Sequence, residues 1–143
     1  MTFSFLNEGD VDKIVEFYRH NFLDGWSRDM LISAFKSGRF YCLTAEDDSG
    51  IICLVCYSVA IDEADVEGIV TRADKRKQGL AKTLYLKAQE HLENLSVKKV
   101  FLEVRESNLS AKNLYYKCGF KDLSVRKNYY ADGENAVVME KEL

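Results

Sequence analysis

The sequence IVTRADKRKQGLA, residues 69–81, decides the fold. Its first three residues favour a strand, a basic turn follows, and from Ala81 the apolar residues repeat with the period of a helix. A strand that turns directly into a helix leaves the N–H groups of the first helical turn unpaired near Gly79, where they can bind an anion. An ordinary solvated helix start is the other interpretation, because a single glycine is weak evidence.

Strand patterns precede this unit. Two β-rich runs, RFYCLTA at 39–45 and IICLVCYSVAI at 51–61, are separated by an acidic turn, and a third strand is predicted at 64–71. Before them we expect two short helices, one behind a possible Asp10 cap and one behind Ser27. The long helix after Gly79 should pack on the resulting sheet, because its apolar stripe comprises Ala81, Leu84, Tyr85, Ala88, Leu92 and Leu95.

The remaining pattern completes an α/β (α+β) fold. We expect a strand at 100–105, a helix at 111–118, and strands at 121–127 and 136–141, so the order is β, α, α, β, β, β, α, β, α, β, β. The central strand–helix–strand unit should be a right-handed crossover that makes two strands parallel, while the hairpins stay antiparallel. The prediction is a mixed, mostly antiparallel sheet of six to seven strands with helices on its faces.

Composition limits the class of protein. The 143 residues are 47% apolar, so we expect one domain over residues 1–143. A net charge of −3 with both signs interspersed argues against a nucleic-acid partner. No apolar run reaches the roughly 18–20 residues of a membrane span, and the N-terminus lacks a signal-peptide pattern. We therefore expect a cytoplasmic protein with no membrane partner.

The cysteines indicate reduced thiols. All four, Cys42, Cys53, Cys56 and Cys118, lie in apolar surroundings. Cys53 and Cys56 form a CxxC, but residues three apart on a strand point to opposite faces. No second pair follows, and the two histidines are isolated, so we expect no metal site.

A second segment combines a carboxylate, an amide and a phenol. LEVRESN, residues 102–108, is followed by LYYKCGF, residues 114–120. Strand alternation puts Glu103 on the face opposite its apolar neighbours. Tyr115 shares a helical face with apolar residues, which on its own describes a core tyrosine, and Asn108 stands where an ordinary N-cap would. Together with the basic turn, the segment suggests an acyl-transfer site.

The chain resembles the GCN5-related N-acetyltransferases. Arg76, Gly79 and Ala81 match the signature Q/R-x-x-G-x-G/A, and the second segment with RKNYY at 126–130 is similar to the bacterial ribosomal-protein-alanine N-acetyltransferases and their archaeal protein N-terminal relatives. The resemblance is strongest over residues 64–143; earlier it rests mainly on Gly25-Trp26-Ser27. The chain departs from the family at Thr71-Arg72-Ala73, where an apolar residue and a proline are commoner.

The resemblance implies acetyl-CoA as co-substrate and no metal. It implies a single-domain fold in which the molecule lies in a wedge between two splayed parallel strands. Backbone groups of Ile69, Val70 and Thr71 would face the pantetheine, and Asn108 would contact the cofactor arm. The residues around the pyrophosphate would be Arg76, Lys77, Gln78, Gly79, Leu80, Ala81 and Lys82.

The resemblance also assigns catalytic roles. Glu103 would be the general base, acting through water, and Tyr115 the general acid for the departing thiolate. The structural alternative for Glu103 is an ion pair with Arg105 or with a neighbouring strand. Glu67 is the rival base, because many acetyltransferases of this superfamily carry their glutamate on that strand. Transfer would be direct, so Cys118 is not needed as a nucleophile.

The amine acceptor can be narrowed by its pKa. At pH 7 an α-amine of pKa ~7.8 is about one-seventh neutral, whereas lysine at ~10.4 is only roughly 0.04% neutral, a gap of about 3.5 kcal/mol. A site with one water-relayed glutamate therefore favours the N-terminal α-amine of a protein, such as a ribosomal protein. A small-molecule amine (a polyamine or antibiotic) is the alternative acceptor, and a non-catalytic acetyl-CoA-binding module is the alternative function.

Aromatic residues would flank the acceptor. Trp26 with Phe22, and Tyr129 with Tyr130, would form a gate that can bond a peptide backbone, although loop aromatics can equally be packing residues. The acidic run at 62–67 would attract a basic peptide or be only a solvated edge. The sequence does not fix the oligomeric state.

Overall fold

The computed structural model describes residues 1–21 and 26–143, and its elements follow the predicted order. A single-turn 3-10 helix precedes the first helix and another follows the fourth strand. The strands and helices are β1 (Thr2–Leu6), α1 (Val11–His20), α2 (Arg28–Lys36), β2 (Phe40–Asp47), β3 (Gly50–Ala60), β4 (Glu63–Thr71), α3 (Leu80–Asn94), β5 (Lys99–Arg105), α4 (Leu109–Lys117), β6 (Lys121–Arg126) and β7 (Ala136–Glu142).

The described strands form one mixed sheet in the order β1-β2-β3-β4-β5-β7-β6. All neighbours are antiparallel except β4 and β5, which confirms the predicted parallel pair. That pair extends only over residues 63–66 and 99–102. Beyond it β4 stays with β3 to Thr71, and β5 stays with β7 to Arg105, so the two strands part.

A β-bulge lies where the strands begin to part. Cys56 is opposite Gly68 and Tyr57 is opposite Val66, so Glu67 is the extra residue of β4. Bulges of this kind bend a strand and redirect a side chain, and they are frequent beside active sites. The bulge places Glu67 next to Ser58, whose Oγ donates to its Oε1 at 3.1 Å.

The sheet separates two apolar cores. On one face α3 and α4 cover a cluster that includes Tyr57, Leu84, Tyr85 and Met139. On the other face α1 and α2 cover a smaller cluster. Burying each large aliphatic side chain contributes about 1.5–3 kcal/mol, which is what holds the helices to the sheet. The smaller cluster includes Ile14, Leu31, Cys42, Leu54 and Cys56.

The predicted thiols and caps can now be compared with the structure. All four cysteines are buried and free, and Cys53 and Cys56 belong to opposite cores, as strand alternation requires. Ser27 caps α2 by accepting from Met30 N at 3.1 Å. Asp10 stands at the N-cap of α1, but its carboxylate accepts from Asn7 N instead. None of the described helices is long and apolar enough to cross a membrane.

Candidate functional site

A cleft opens where β4 and β5 part. It has a volume of about 710 Å³ and is bounded by strands β4 and β5, by β6, and by the segment between β6 and β7. The bulge at Glu67 and the loss of pairing after Val66 together create the opening. Its polar lining residues are Asp65, Glu67, Glu103, Ser124, Arg126, Tyr129 and Tyr130.

Glu103 lies in this cleft with two neighbours. Arg126 Nε is 3.4 Å from Glu103 Oε1, and a hydrogen bond with the same carboxylate raises the pKa of Tyr129. Glu103 therefore forms an ion pair, but its partner Arg126 lies on β6, one strand beyond the neighbouring β7, and Arg105 pairs with other carboxylates. Because the Arg126 side chain is 59% exposed, the pair is worth only about 0–1 kcal/mol and can be displaced.

Two further carboxylates share the cleft with Glu103. Burial in the cleft raises the pKa of Glu67, partly offset by the hydrogen bond from Ser58 and reinforced by Asp65. Burial also raises the pKa of Asp65, and Glu103 adds to the shift. Asp65 therefore repels both glutamates, and the cleft favours a positively charged occupant.

Tyr115 lies in the core on the opposite face of the sheet from Glu103 and does not line the cleft. It belongs to the α3 and α4 core, is 7% exposed, and packs against Phe120 with ring centroids 5.9 Å apart. Burial raises its pKa to about 12, with smaller contributions from Cys118 and Tyr130. The charge of Glu103 in turn contributes to the raised pKa of Tyr130.

The turn before α3 has the geometry of an anion site. Lys77 and Gly79 both adopt left-handed backbone conformations, with φ of 63° and 76°. No side chain caps the helix, and its first described bond runs from Thr83 N to Gly79 O at 3.0 Å. Within the described residues, no atom accepts from the backbone N–H groups of residues 76–82. A helix N-terminus with so many free donors favours a negative ligand.

The basic side chains of this turn are not equivalent. Arg72 is held by Asp74 at 2.7 Å and Lys75 by Asp47 at 3.7 Å, so their charges are partly neutralised. Arg76 donates from Nε to Thr71 O at 3.2 Å, which closes the turn. The side chains of Lys77, Gln78 and Lys82 are exposed. The open space around Gly79 is large, because a Cβ placed there would meet nothing within 4 Å.

The residues predicted to face pantetheine differ in direction. Arg72 N donates to Ile52 O at 2.9 Å, and the alternation of an antiparallel ladder then turns the backbone of Val70 toward β3. The backbone groups of Ile69 and Thr71 point the other way, into the gap. Asn108 caps α4, accepting from Ala111 N at 3.1 Å through Oδ1.

The predicted aromatic gate is described only in part. Tyr129 and Tyr130 line the cleft and pack edge to face, with centroids 5.0 Å apart. Trp26 packs on Phe40 with centroids 5.4 Å apart, against the α1 and α2 core. Phe22 and Gly25 lie outside the described residues. Sequence reasoning did not find Arg126 as the partner of Glu103, although it opens the RKNYY segment that carries both tyrosines.

Comparison with known proteins gives consistent results. The model of the acetyltransferase (GNAT) family matches residues 11–120. A Bacillus subtilis (strain 168) protein that carries the provisional name ribosomal protein bS18-alanine N-acetyltransferase is 30% identical over 100 residues, which cover 69% of this chain and 66% of that protein.

Solved structures with the same fold include two informative ones. The crystal structure of the Escherichia coli ribosomal-protein-S18-alanine N-acetyltransferase superimposes with a TM-score of 0.89 at 28% identity, covering 99% of this chain and 92% of that one. Arabidopsis thaliana NAA60 in complex with acetyl-CoA superimposes with a TM-score of 0.87 at 16% identity, covering 99% of each chain, and shows likeness of fold.

Proposed function

Because this chain belongs to the acetyltransferase (GNAT) family and is an N-acetyltransferase that uses acetyl-CoA, we propose that its acceptor is the α-amine of a protein N-terminus. A ribosomal protein is the leading candidate, since two of the relatives are named for that substrate. Transfer is direct, from the thioester to the amine. The protein acts in the cytoplasm, where such a substrate is made.

The observation that carries the proposal is the position of Glu103 in a cleft with room for a peptide. A volume of about 710 Å³ exceeds what a single amino group needs, and its wall ends in Tyr129 and Tyr130, whose hydroxyls can bond a peptide backbone. Three carboxylates attract the cationic terminus. A carboxylate base suits an α-amine, because a useful fraction of that amine is neutral at pH 7.

The residues present fit the donor molecule. The free N–H groups of residues 76–82 and the space above Gly79 suit a diphosphate, and Lys77 and Lys82 add positive charge. Beyond its pairing with β5, the edge of β4 offers backbone groups of Ile69 and the N–H of Thr71 to an extended amide chain, while the Thr71 carbonyl accepts from Arg76. Asn108 could add a contact to the same arm beside its role as a cap.

The chemistry that acetyl-CoA supplies is a thioester carbonyl that a neutral amine can attack. Glu103 accepts the amine's proton, through a water molecule, and Arg126 leaves the carboxylate when the acceptor enters. Glu67 is the second candidate for this role, since it lines the same cleft.

Tyr115 stabilises the departing thiolate. Its pKa is about 12, and a thiol resembles cysteine at about 8.5, so complete proton transfer would cost about 5 kcal/mol. The phenol therefore acts as a hydrogen-bond donor to the charge that develops on sulfur. Its burial keeps it neutral and able to donate at every pH at which the enzyme works.

An acceptor panel tests the proposal. Release of CoA would be measured with three acceptors. The first is a basic peptide that begins with Ala, the second is that peptide with its N-terminus formylated and an internal lysine, and the third is spermidine. We expect the free peptide to have the highest kcat/KM, by about two orders of magnitude or more, as the difference in neutral amine predicts. Preference for spermidine would indicate a small-amine enzyme. Coenzyme binding without turnover of any amine would indicate a binding module.

A further inference from the structure

The segment between β6 and β7, residues 127–135, carries both cleft tyrosines but belongs to no strand or helix. Within the segment, Tyr130 N donates to Glu134 O at 3.1 Å and Gly133 N donates to Tyr130 O at 2.8 Å. Asn135 Oδ1 accepts from Asn128 N at 3.0 Å. Two further bonds tie the segment to the region of β5: Glu106 N donates to Asn135 O at 3.1 Å, and Tyr129 bonds the Glu103 carboxylate. None of these bonds orients the side chain of Tyr130.

Arg105 joins this segment to the strand that carries Glu103. Its Nη1 donates to Asp132 Oδ2 and to Glu134 Oε1, both at 2.9 Å. Its guanidinium also lies over the ring of Tyr130, with Cζ 4.1 Å from the centroid. A charge stacked at this distance on an aromatic face stabilises the contact by about 0.5–1 kcal/mol or more.

Glu134 extends the connection to α4. Its second oxygen, Oε2, accepts from Ser107 N at 2.8 Å, one residue before the Asn108 cap of that helix. The bonds from Ser107 and Arg105 lower the pKa of Glu134 to about 2, so the carboxylate stays ionised in any working buffer. The network thus links the three parts of the chain that carry Glu103, Tyr115 and Tyr130.

The contacts of Arg105 differ from those of an isolated ion pair on the protein surface. Isolated exposed pairs contribute little, but here two carboxylates and an aromatic ring surround one guanidinium, and one of the carboxylates also accepts from a backbone N–H. Lysine would keep the charge, yet it has no flat face to lie on Tyr130. The arrangement therefore uses a property that is specific to arginine.

We infer that Arg105 is a positioning residue that holds Tyr130 and the β6–β7 segment over Glu103, and so sets how the acceptor amine is oriented. The inference rests on the proposed function for the identity of the acceptor. Arg105 itself does not line the cleft described above. It acts through Tyr130, so its removal should affect the acceptor and not acetyl-CoA.

The test compares Arg105→Gln and Arg105→Lys with Arg19→Gln, a control that removes an exposed arginine paired with Glu16 at 3.5 Å on α1. Amide hydrogen exchange of residues 107 and 127–135 shows, without any substrate, whether Arg105 holds the β6–β7 segment in place. Steady-state kinetics then give KM for the acceptor and for acetyl-CoA separately. Tyr130→Leu, alone and combined with Arg105→Gln, shows whether the arginine acts through the tyrosine.

We expect faster exchange in Arg105→Gln and an acceptor KM raised about tenfold, the effect of losing about 1.4 kcal/mol, with KM for acetyl-CoA within about twofold. The acceptor KM of Arg105→Lys should lie between those of the wild type and Arg105→Gln. The acceptor KM of the double variant should be no higher than that of Tyr130→Leu alone. Unchanged exchange, an equal rise in both KM values, or additive effects would overturn the inference. If no amine is acetylated, the proposed function fails. The rate of amide hydrogen exchange then decides by itself whether Arg105 holds the β6–β7 segment.

Discussion

The two halves of the site use different parts of the chain, the backbone in one and side chains in the other. The α3 half uses backbone N–H groups exposed by a left-handed turn, and no side chain caps that helix. The cleft half uses side chains of Glu103, Tyr129 and Tyr130, which lie on two chain segments. The other helix beside the gap, α4, has its first turn closed by Asn108. Donor binding should thus depend on backbone shape and acceptor chemistry on individual functional groups.

The largest separation of the two halves should come from Glu103→Gln. The amide keeps the shape but cannot accept the proton, so we expect kcat to fall about 10²–10⁴-fold while acetyl-CoA affinity changes little. Glu106→Gln, an exposed neighbour on the same segment, is the control. A larger loss in Glu67→Gln than in Glu103→Gln would transfer the role of base to Glu67. Stopped-flow release of CoA and calorimetry supply the two readouts.

Tyr115→Phe should give a smaller loss in kcat, about 10–100-fold, because it removes one hydrogen bond to a developing charge.

The pH profile of the wild-type enzyme tests the same assignment in a second way. Burial raises the pKa of Tyr115 to about 12, so the phenol stays protonated as pH rises through 10. We therefore expect no loss of kcat from this group below about pH 11. An alkaline limb near pH 9 that disappears in Tyr115→Phe would contradict this assignment.

Gly79→Ala should weaken acetyl-CoA binding by about tenfold and leave chemistry in the bound state nearly unchanged. A residue with a side chain at positive φ is destabilised by about 1–2 kcal/mol. The turn should therefore change conformation, and its N–H groups should no longer point toward one anion. Gly38→Ala is the matched control, with φ of 74° and equally open surroundings. Both variants should lose similar stability in denaturant. Equal loss of coenzyme affinity in the two would mean that the α3 turn is not the binding element.

Much of the fold follows from local pattern, and the reasons are visible in particular elements. The apolar stripe of α3 and the alternation of β5 are short-range signals, and both elements appear where they were predicted. The cap at Ser27 and the parallel pair also follow from local rules. The initial strand was placed in the predicted order, and it pairs with β2 at the edge of the sheet.

The partners of site residues could not be predicted in the same way. Arg126 is far from Glu103 in the chain, and Arg105 is far from Asp132 and Glu134, so their pairing depends on how β5, β6 and β7 are arranged. The bulge at Glu67 likewise arises from pairing with β3 and leaves no mark in composition. Alternation identified which face Glu103 occupies, but not what it meets there.

The central claim is that backbone amides at the start of α3 hold the donor while the cleft stays free for the acceptor. Titration of the ¹⁵N-labelled protein with coenzyme A, followed by amide NMR, tests it most directly. We expect the largest shifts at the amides of residues 76–82 and small ones at 127–135. Large shifts in the β6–β7 segment with unmoved amides at 76–82 would contradict it.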